Sequence, residues 1–402
     1  MGVTLATQRP LRVIFVAHSF PRAPGDAAGG FLHLLARALD DLGVEVTAVV
    51  PHASGLARRE LLDGVDVVRY RYAPAGLETL AYTGRMAEDV RATWSAKLAL
   101  AGLLAAGARA AAREARAIGA AVIHAHWWFP GGLSARRAAS ATGLPLVITL
   151  HGSDVRLARG ITLARSAFAS LARSAAVVTA ASEYLAREAS AMGDGVDVRV
   201  LPMPVDVARF TPPPANSPPR DPRRLLFVGR LVEQKGVAHA LQALAAAPSD
   251  TTLDIVGDGP DREALASLAE SLGIAARIRW RGALPPRELP RWYRRAAALV
   301  VPSRDEGLGL VAVEAQLCET PVIAVASGGL VDVVDGGRAG VLVPPDDVAA
   351  LAAAMLRVRE RPDLLEPLAA AGRVRALERH DAPRAAARYA DLYRSLDGPR
   401  PN

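Results

Sequence analysis

Short apolar runs alternate with longer helical patterns along this chain of 402 residues, and the alternation starts twice. That rhythm constrains the fold more than any other feature. Strands separated by helices need crossovers, and crossovers build parallel sheets covered by helices on both faces. In the first half the expected strands are Val13–Ala17, Val44–Val50, Val65–Tyr70, Val122–His126, Val147–His151, Val177–Ala180 and Val198–Leu201. Helices are expected between them, among them Phe31–Leu42, Leu133–Thr142 and Glu183–Met192. Residues 202–222 then break the pattern with prolines at 212–214 and 218–219, and read as a stiffened linker. The rhythm restarts at Leu225–Val228 and continues through Leu253–Val256, Ile278–Trp280, Ala298–Val301, Val322–Val325 and Val341–Val343. Helical segments around Leu364–Leu377 and Ala385–Leu396 close the chain. The expected organisation is an α/β unit at 1–202, a linker at 203–222, a second α/β unit at 223–375, and a closing helix and tail at 376–402 able to cross back to the first unit. Ligands of such sheets bind beyond the carboxyl ends of the strands, so two similar sheets make the cleft between them the expected site.

Composition narrows the class. Half of the residues are apolar and aromatics are few, so the cores are built from Ala, Leu and Val, as in ordinary α/β enzymes. The formal charge of +7 raises the question of nucleic acid or an anionic membrane surface. Yet the basic residues are scattered over helices rather than gathered, and all but Lys97 and Lys235 are arginine, a pattern of codon usage more than of binding. Nucleic acid is therefore not an expected partner. With one cysteine, Cys318, an intrachain disulfide is impossible and a cytoplasmic setting fits. Arg9 and Arg12 precede an apolar run too short for a signal-peptide core. The Ala/Leu-rich stretch Leu98–Ala108 falls short of a membrane span and reads as a buried helix.

The chemistry gathers in the loops. Glu306-Gly307-Leu308-Gly309-Leu310 follows a strand, and Glu314 lies about two turns further on, along the helix that this loop opens. Each carboxylate can accept hydrogen bonds from a pair of neighbouring hydroxyls. The loop amides and helix start between them favour an anion. Sugar hydroxyls, ribose hydroxyls and a phosphate together describe a nucleotide-sugar; a surface turn with two incidental acids is the plainer alternative. Gly229-Arg230 and Lys235-Gly236 flank another strand-to-helix loop, where two cations could clamp a diphosphate and stabilise it as a leaving group. The plainer reading there is a solvated surface pair. No Asp-x-Asp occurs, and no His/Cys cluster has metal-site spacing, so no metal cofactor is expected.

Gly29-Gly30 opens a helix after the first strand and can bring backbone amides close to a phosphate. His124 and His126 fall on one face of a strand end, conceivably as a metal pair, more readily as supporting polar groups or a pocket wall. Trp127 and Trp128 are placed there to stack on a sugar. His151-Gly152-Ser153-Asp154 ends another strand; His151 could bond a sugar hydroxyl or assist proton movement. Gly257-Asp258-Gly259-Pro260 reads as a structural turn or pocket rim, and Gly328-Gly329 as a further loop able to meet phosphate or sugar.

Taken in order, these motifs, together with Val205-Asp206, Phe210 and Gly340-Val341-Leu342-Val343-Pro344, resemble the retaining glycosyltransferases of family 4 over essentially the whole chain. The resemblance implies the GT-B fold: two facing Rossmann-like domains, the first for the acceptor and the second for the nucleotide-sugar, with a cleft between them. It implies that Arg230 and Lys235 bind the diphosphate, that Glu306 contacts the donor sugar, and that Glu314 holds the ribose. Amides from Gly307 to Leu310 would touch phosphate or sugar, and His151 would lie beside the sugar's reactive face. Gly29, Gly30, Asp154 and Gly229 complete the implied substrate-binding set. Transfer would retain anomeric configuration without a metal. The expected partners are a nucleotide-sugar donor and a hydroxyl acceptor (glycan, lipid-linked or small molecule), with peripheral contact to an inner membrane face left open. Two positions depart from the family pattern: Met203-Pro204 stands in place of a common Asn-Gly, and Asp332 in place of a common Glu. Competing implications are a sugar-nucleotide 2-epimerase and a non-catalytic sugar-nucleotide-binding partner of another transferase.

Overall fold

The computed structural model describes residues 10–82, 86–193 and 195–398. Arg9 and residues 83–85 lie outside the described residues. The chain forms two compact units: one from residues up to Ala180, Glu188–Met203 and the segment from Pro383, the other from Ala181–Arg187 and Pro204–Ala382.

The first unit holds an eight-stranded sheet. Its strands are β1 (Leu11–Val16), β2 (Val44–Pro51), β3 (Arg59–Leu62), β4 (Val65–Tyr70), β5 (Val122–His126), β6 (Leu146–Leu150), β7 (Val177–Ala180) and β8 (Val198–Val200), in the spatial order β3-β4-β2-β1-β5-β6-β7-β8. Every pairing is parallel except β3 with β4. The sequence reading missed β3. Its residues Arg59-Glu60-Leu61-Leu62 carry no apolar alternation, because this edge strand faces solvent and charge blunts its unpaired side. The central strands β5 and β6 are buried along their whole length, their polar members His124, His126 and Thr149 included.

Leu98–Ala108 is helical, as expected, within the longer helix Trp94–Ile118. It is not buried throughout. Leu103 is buried, whereas Trp94 and Leu98 stand 78% and 73% exposed, so the first turns project apolar side chains into solvent. Among the described residues, no helix is long and apolar enough to cross a membrane.

The second unit is built on a six-stranded, all-parallel sheet of β9 (Arg224–Val228), β10 (Thr252–Val256), β11 (Ile278–Gly282), β12 (Ala298–Val301), β13 (Val322–Val325) and β14 (Val341–Val343), ordered β11-β10-β9-β12-β13-β14. Leu225, Phe227, Leu253, Ile255, Val300 and Ile323 pack with the helix Val237–Ala246 in one core. The chain leaves β9 for β10 on one side and later returns to place β12 on the other. A parallel sheet opens a crevice at such a reversal, beyond the carboxyl ends of the two strands. Residues 204–222 are tied to this unit: Val205 and Phe210 are buried, the Val205 amide donates to His380 O at 2.9 Å, and Arg294 donates to Thr211 O at 2.8 Å. Cys318 is fully buried in the core, as its surroundings predict.

Candidate active site

The reversal between β9 and β12 brings together residues far apart in sequence. Gly236 makes this possible. Its backbone is left-handed (φ +65°), and a Cβ there would lie 2.1 Å from Pro302 O. Only a glycine lets the loop after β9 rest directly on the loop after β12. The two loops are then stitched together: the Arg304 amide donates to Gln234 O at 2.9 Å, and Gln234 Nε2 donates to the carbonyls of Arg304 and Asp305 at 3.2 and 3.3 Å. The result is a direct contact in which Lys235 Nζ donates to Glu306 Oε2 at 2.6 Å. Both side chains remain partly exposed, at 23% and 16%. They are therefore accessible to a ligand. Arg230 sits on the same loop and is exposed.

A third loop, after β13, fixes Glu306 from behind. The Gly329 amide donates to Glu306 O at 2.7 Å, the Asp305 amide donates to Ser327 Oγ at 3.0 Å, and a Cβ on Gly328 would collide with Glu306 O at 2.3 Å. Ser182 Oγ donates to Gly307 O at 2.6 Å. Gly309, left-handed at φ +88°, then caps the helix Leu310–Leu317; the Gly309 carbonyl takes the Ala312 amide at 2.9 Å, and the amides at the very start of the helix suit an anion. One turn further on, Glu314 accepts a 2.6 Å hydrogen bond from the hydroxyl of Tyr293, which is fully buried. Burial pushes the Glu314 carboxyl up to about 7, against the downward pull of the Tyr293 hydroxyl and the Arg209 charge. Asp332, the departure from the common Glu, accepts from the Tyr184 amide at 2.8 Å, and so anchors the start of the helix Glu183–Met192.

The first unit assembles its own cluster beyond β1, β5 and β6. His151 follows β6, and the turn that carries it is clamped by Asp154. The buried Asp154 carboxylate accepts from the amides of His151, Gly152 and Trp128 at 3.1, 2.9 and 3.1 Å. Asp154 was expected to bind substrate. Its oxygens are instead occupied by backbone donors, so it shapes the turn beneath His151. Trp128 likewise differs from expectation: it is 2% exposed, donates its indole N–H to Asp154 O, and packs on Phe168 as core. Trp127 is buried among the imidazoles of the cluster. Its backbone is left-handed (φ 65°), rare for a bulky residue, and its ring lies 4.4 Å from His151 and 4.5 Å from His18. Phe31, beside Gly30 at the start of the helix Gly30–Asp40, comes within 5.2 Å of His151. A Cβ on Gly29 would strike Ser19 O, while one on Gly30 would meet nothing within 4 Å; Gly30 thus leaves open space at the helix start.

Burial lowers all four imidazoles here: His18 to about 4, His151 to about 3 with a further contribution from His18, and His124 and His126 well below the usual range. They are neutral hydrogen-bonding groups at physiological pH. Among the described residues, no group of three or more His, Cys, Asp or Glu side chains is placed to hold a metal ion.

Tyr293, Ser327 and Tyr393 went unnoticed in the sequence because none stands in a motif, and Gln234, inside the run from Gly229 to Gly236, was given no role. Their signal is a partner brought near by the sheet.

Comparison with known proteins agrees with this architecture. Residues 28–209 match the family described as Glycosyltransferase Family 4, and residues 210–375 match Glycosyl transferases group 1. A D-inositol 3-phosphate glycosyltransferase of Xylanimonas cellulosilytica is 30% identical, covering 98% of this chain and 99% of its own. A GDP-mannose-dependent alpha-(1-6)-phosphatidylinositol monomannoside mannosyltransferase of Mycolicibacterium smegmatis is 33% identical over 70% of this chain and 79% of its own. In fold, the chain is similar to sucrose-phosphate synthase from Thermosynechococcus elongatus (TM-score 0.80, 23% identity, 96% of this chain and 99% of that one). It is also similar to Anabaena HepE in complex with UDP (TM-score 0.74, 20% identity, 96% of this chain and 100% of that one). The chain belongs to the group 1 glycosyltransferases with the GT-B fold, whose first half is the family 4 type.

Proposed function

We propose that this glycosyltransferase moves a hexose-type sugar from a nucleoside diphosphate to an acceptor hydroxyl, with retention of anomeric configuration and without a metal. The observation that carries the reading is the Lys235–Glu306 pair at the reversal of the second sheet, in the loop that opens the helix carrying the Tyr293-supported Glu314. Lys235 and Arg230 meet the diphosphate and stabilise charge on the leaving group; Glu306 turns to the sugar; Glu314 takes the ribose hydroxyls. Amides from Gly307 to Leu310 serve phosphate and sugar, with Gly229 freeing the loop after β9. Leaving-group stabilisation by fixed cations does the work a bridging metal does elsewhere. Retention follows from front-side attack assisted by the leaving phosphate. His151 is the residue this reading gives to a hydroxyl of the donor sugar, and Gly29 and Gly30 are given to substrate binding.

The test is turnover by the purified chain, read as release of nucleoside diphosphate from a panel of nucleotide sugars first ranked by thermal shift. The relatives' names point to GDP-mannose as one donor to include, and to inositol phosphates and phosphatidylinositol mannosides as acceptors. Released diphosphate with a transferred sugar supports the reading. Epimerised sugar, or binding without turnover, replaces it with an epimerase or a non-catalytic partner.

Turnover is expected to persist in EDTA, because Arg230 and Lys235 stand where a metal would. Complete loss that added metal restores would overturn this part of the proposal.

Affinity for a nucleotide sugar is expected to fall as pH drops through about 7, where the Glu314 carboxyl takes up a proton. The sign follows from the binding form. Only the carboxylate accepts from both ribose hydroxyls, and its free-state pKa is raised, so protonation competes with binding below that value. The limit is about tenfold per pH unit if only the ionised form binds. A nucleotide sugar has no titrating phosphate in this range, so calorimetry between pH 6 and 8 reads Glu314 directly. A flat profile in the wild type, or the same slope in Glu314→Gln, would refute the assignment.

A further inference from the structure

The imidazoles of the first unit are arranged so that the protons on them can be placed. His126 Nδ1 and His151 Nε2 lie 3.2 Å apart, so one nitrogen carries the hydrogen and the other accepts it. His126 is fully buried, and its other nitrogen, Nε2, has no hydrogen-bond partner among the described residues. His124 cannot supply one. Its Nδ1 is engaged by the Tyr393 hydroxyl at 2.7 Å and its Nε2 by Thr149 Oγ1 at 2.7 Å, and Thr149 is tied in turn to Thr179 at 2.6 Å. The His124 ring is therefore locked 4.1 Å from that of His126, with Phe15 4.6 Å away. A neutral His126 has one proton to place. If it sits on Nε2, a buried N–H is left without an acceptor. If it sits on Nδ1, it is used by His151, and only a lone pair is left unpaired. Orphaned buried N–H groups are the rarer of the two defects in folded proteins.

We infer that His126 is a positioning residue: it donates its Nδ1–H to Nε2 of His151, holding His151 as the Nδ1–H tautomer, so that His151 offers substrate a hydrogen-bond donor rather than a base. His151 Nδ1 is the nitrogen not committed to the imidazole pair, and His151 is partly exposed. A neutral ring with its only lone pair turned inward toward His126 cannot accept a proton from an acceptor hydroxyl. It can hold a sugar oxygen in place. This narrows the two roles the sequence allowed for His151 to one. The geometry also gives the closing helix Ala382–Leu396 a part, since Tyr393 and Tyr389, which lies 3.3 Å from Thr149, lock the His124 ring on which His126 stacks. The tautomer stands independently of any reaction; its use toward a sugar rests on the transferase reading above.

The test has two arms. In the wild-type chain labelled with nitrogen-15 histidine, long-range proton–nitrogen spectra should show His151 protonated on Nδ1 and bare on Nε2, and His126 protonated on Nδ1. A proton on His151 Nε2 would overturn the inference, whatever the enzyme turns over. In the second arm, His126→Asn keeps a donor where Nδ1–H stood, His126→Asp offers only an acceptor, and His126→Leu offers neither. The asparagine variant should keep kcat within about threefold of wild type, while aspartate and leucine each lose roughly tenfold or more with donor KM little changed. Equal losses in Asn and Leu would reduce His126 to packing. If no nucleotide sugar is turned over by the wild type, the function above fails while the spectra still decide the tautomer.

Discussion

Replacing Lys235 with alanine is expected to lower kcat/KM by about 30- to 1000-fold, equivalent to about 2–4 kcal/mol of lost transition-state binding. Charge-assisted hydrogen bonds contribute about 1.5–3 kcal/mol, and one aimed at developing charge in a closed site can exceed that. The structure adds a reason for the loss to appear in turnover rather than in folding. Lys235 is partly exposed, and its ammonium group donates to Glu306, itself partly exposed. Ion pairs of this kind contribute about 0–1 kcal/mol to stability. The melting temperature of Lys235→Ala should therefore hardly move. Wild-type kcat/KM in the folded variant would remove Lys235 from the proposed clamp.

The two glutamates should separate by what each one holds. Glu306→Gln is expected to damage turnover and discrimination between donor sugars. Its effect on bare nucleoside diphosphate is set by the Lys235 contact. In the unliganded chain Glu306 occupies the lysine, so a neutral glutamine releases the cation for phosphate. Affinity for the diphosphate should stay level or rise by up to about fivefold, the equivalent of an exposed ion pair of about 1 kcal/mol. Glu314→Gln should instead weaken diphosphate and nucleotide sugar alike, because both carry the ribose, and such uniform loss appears mainly in KM. The Tyr293 hydroxyl keeps an acceptor in the glutamine, so the fold is spared. Calorimetry of each variant with both ligands decides the matter. Equal loss of diphosphate affinity in the two variants would show the pair to be misassigned.

Much of the second unit was legible before its structure. Ala298–Val301, Val322–Val325 and Val341–Val343 are strands with the expected bounds, because buried parallel strands are written as unbroken apolar runs. Gly236 and Gly309 were legible as loop residues, and their left-handed backbones and close approaches exclude other side chains. Trp128 and Leu98 went the other way. An aromatic next to a histidine motif proved to be core, and a leucine in an apolar helix proved to be exposed. Both reversals share a cause: hydrophobicity states what a residue prefers, while burial depends on what the rest of the chain puts against it.

The sequence alone therefore determined the α/β rhythm and the loops at the strand ends, which follow from local periodicity and short-range backbone geometry, while the ordered motifs carried the resemblance to the family. Tertiary structure alone decided the partners. Lys235 meets Glu306 across 71 residues, and His124 meets Tyr393 across 269. Asp154 lies only three residues from His151 and takes its amide locally, yet its other oxygen is filled by the Trp128 amide, which arrives from the segment after β5. Hydrogen bonds demand positions within a few tenths of an ångström, and in a parallel sheet those positions come from strand order. Periodicity in the sequence does not encode that order.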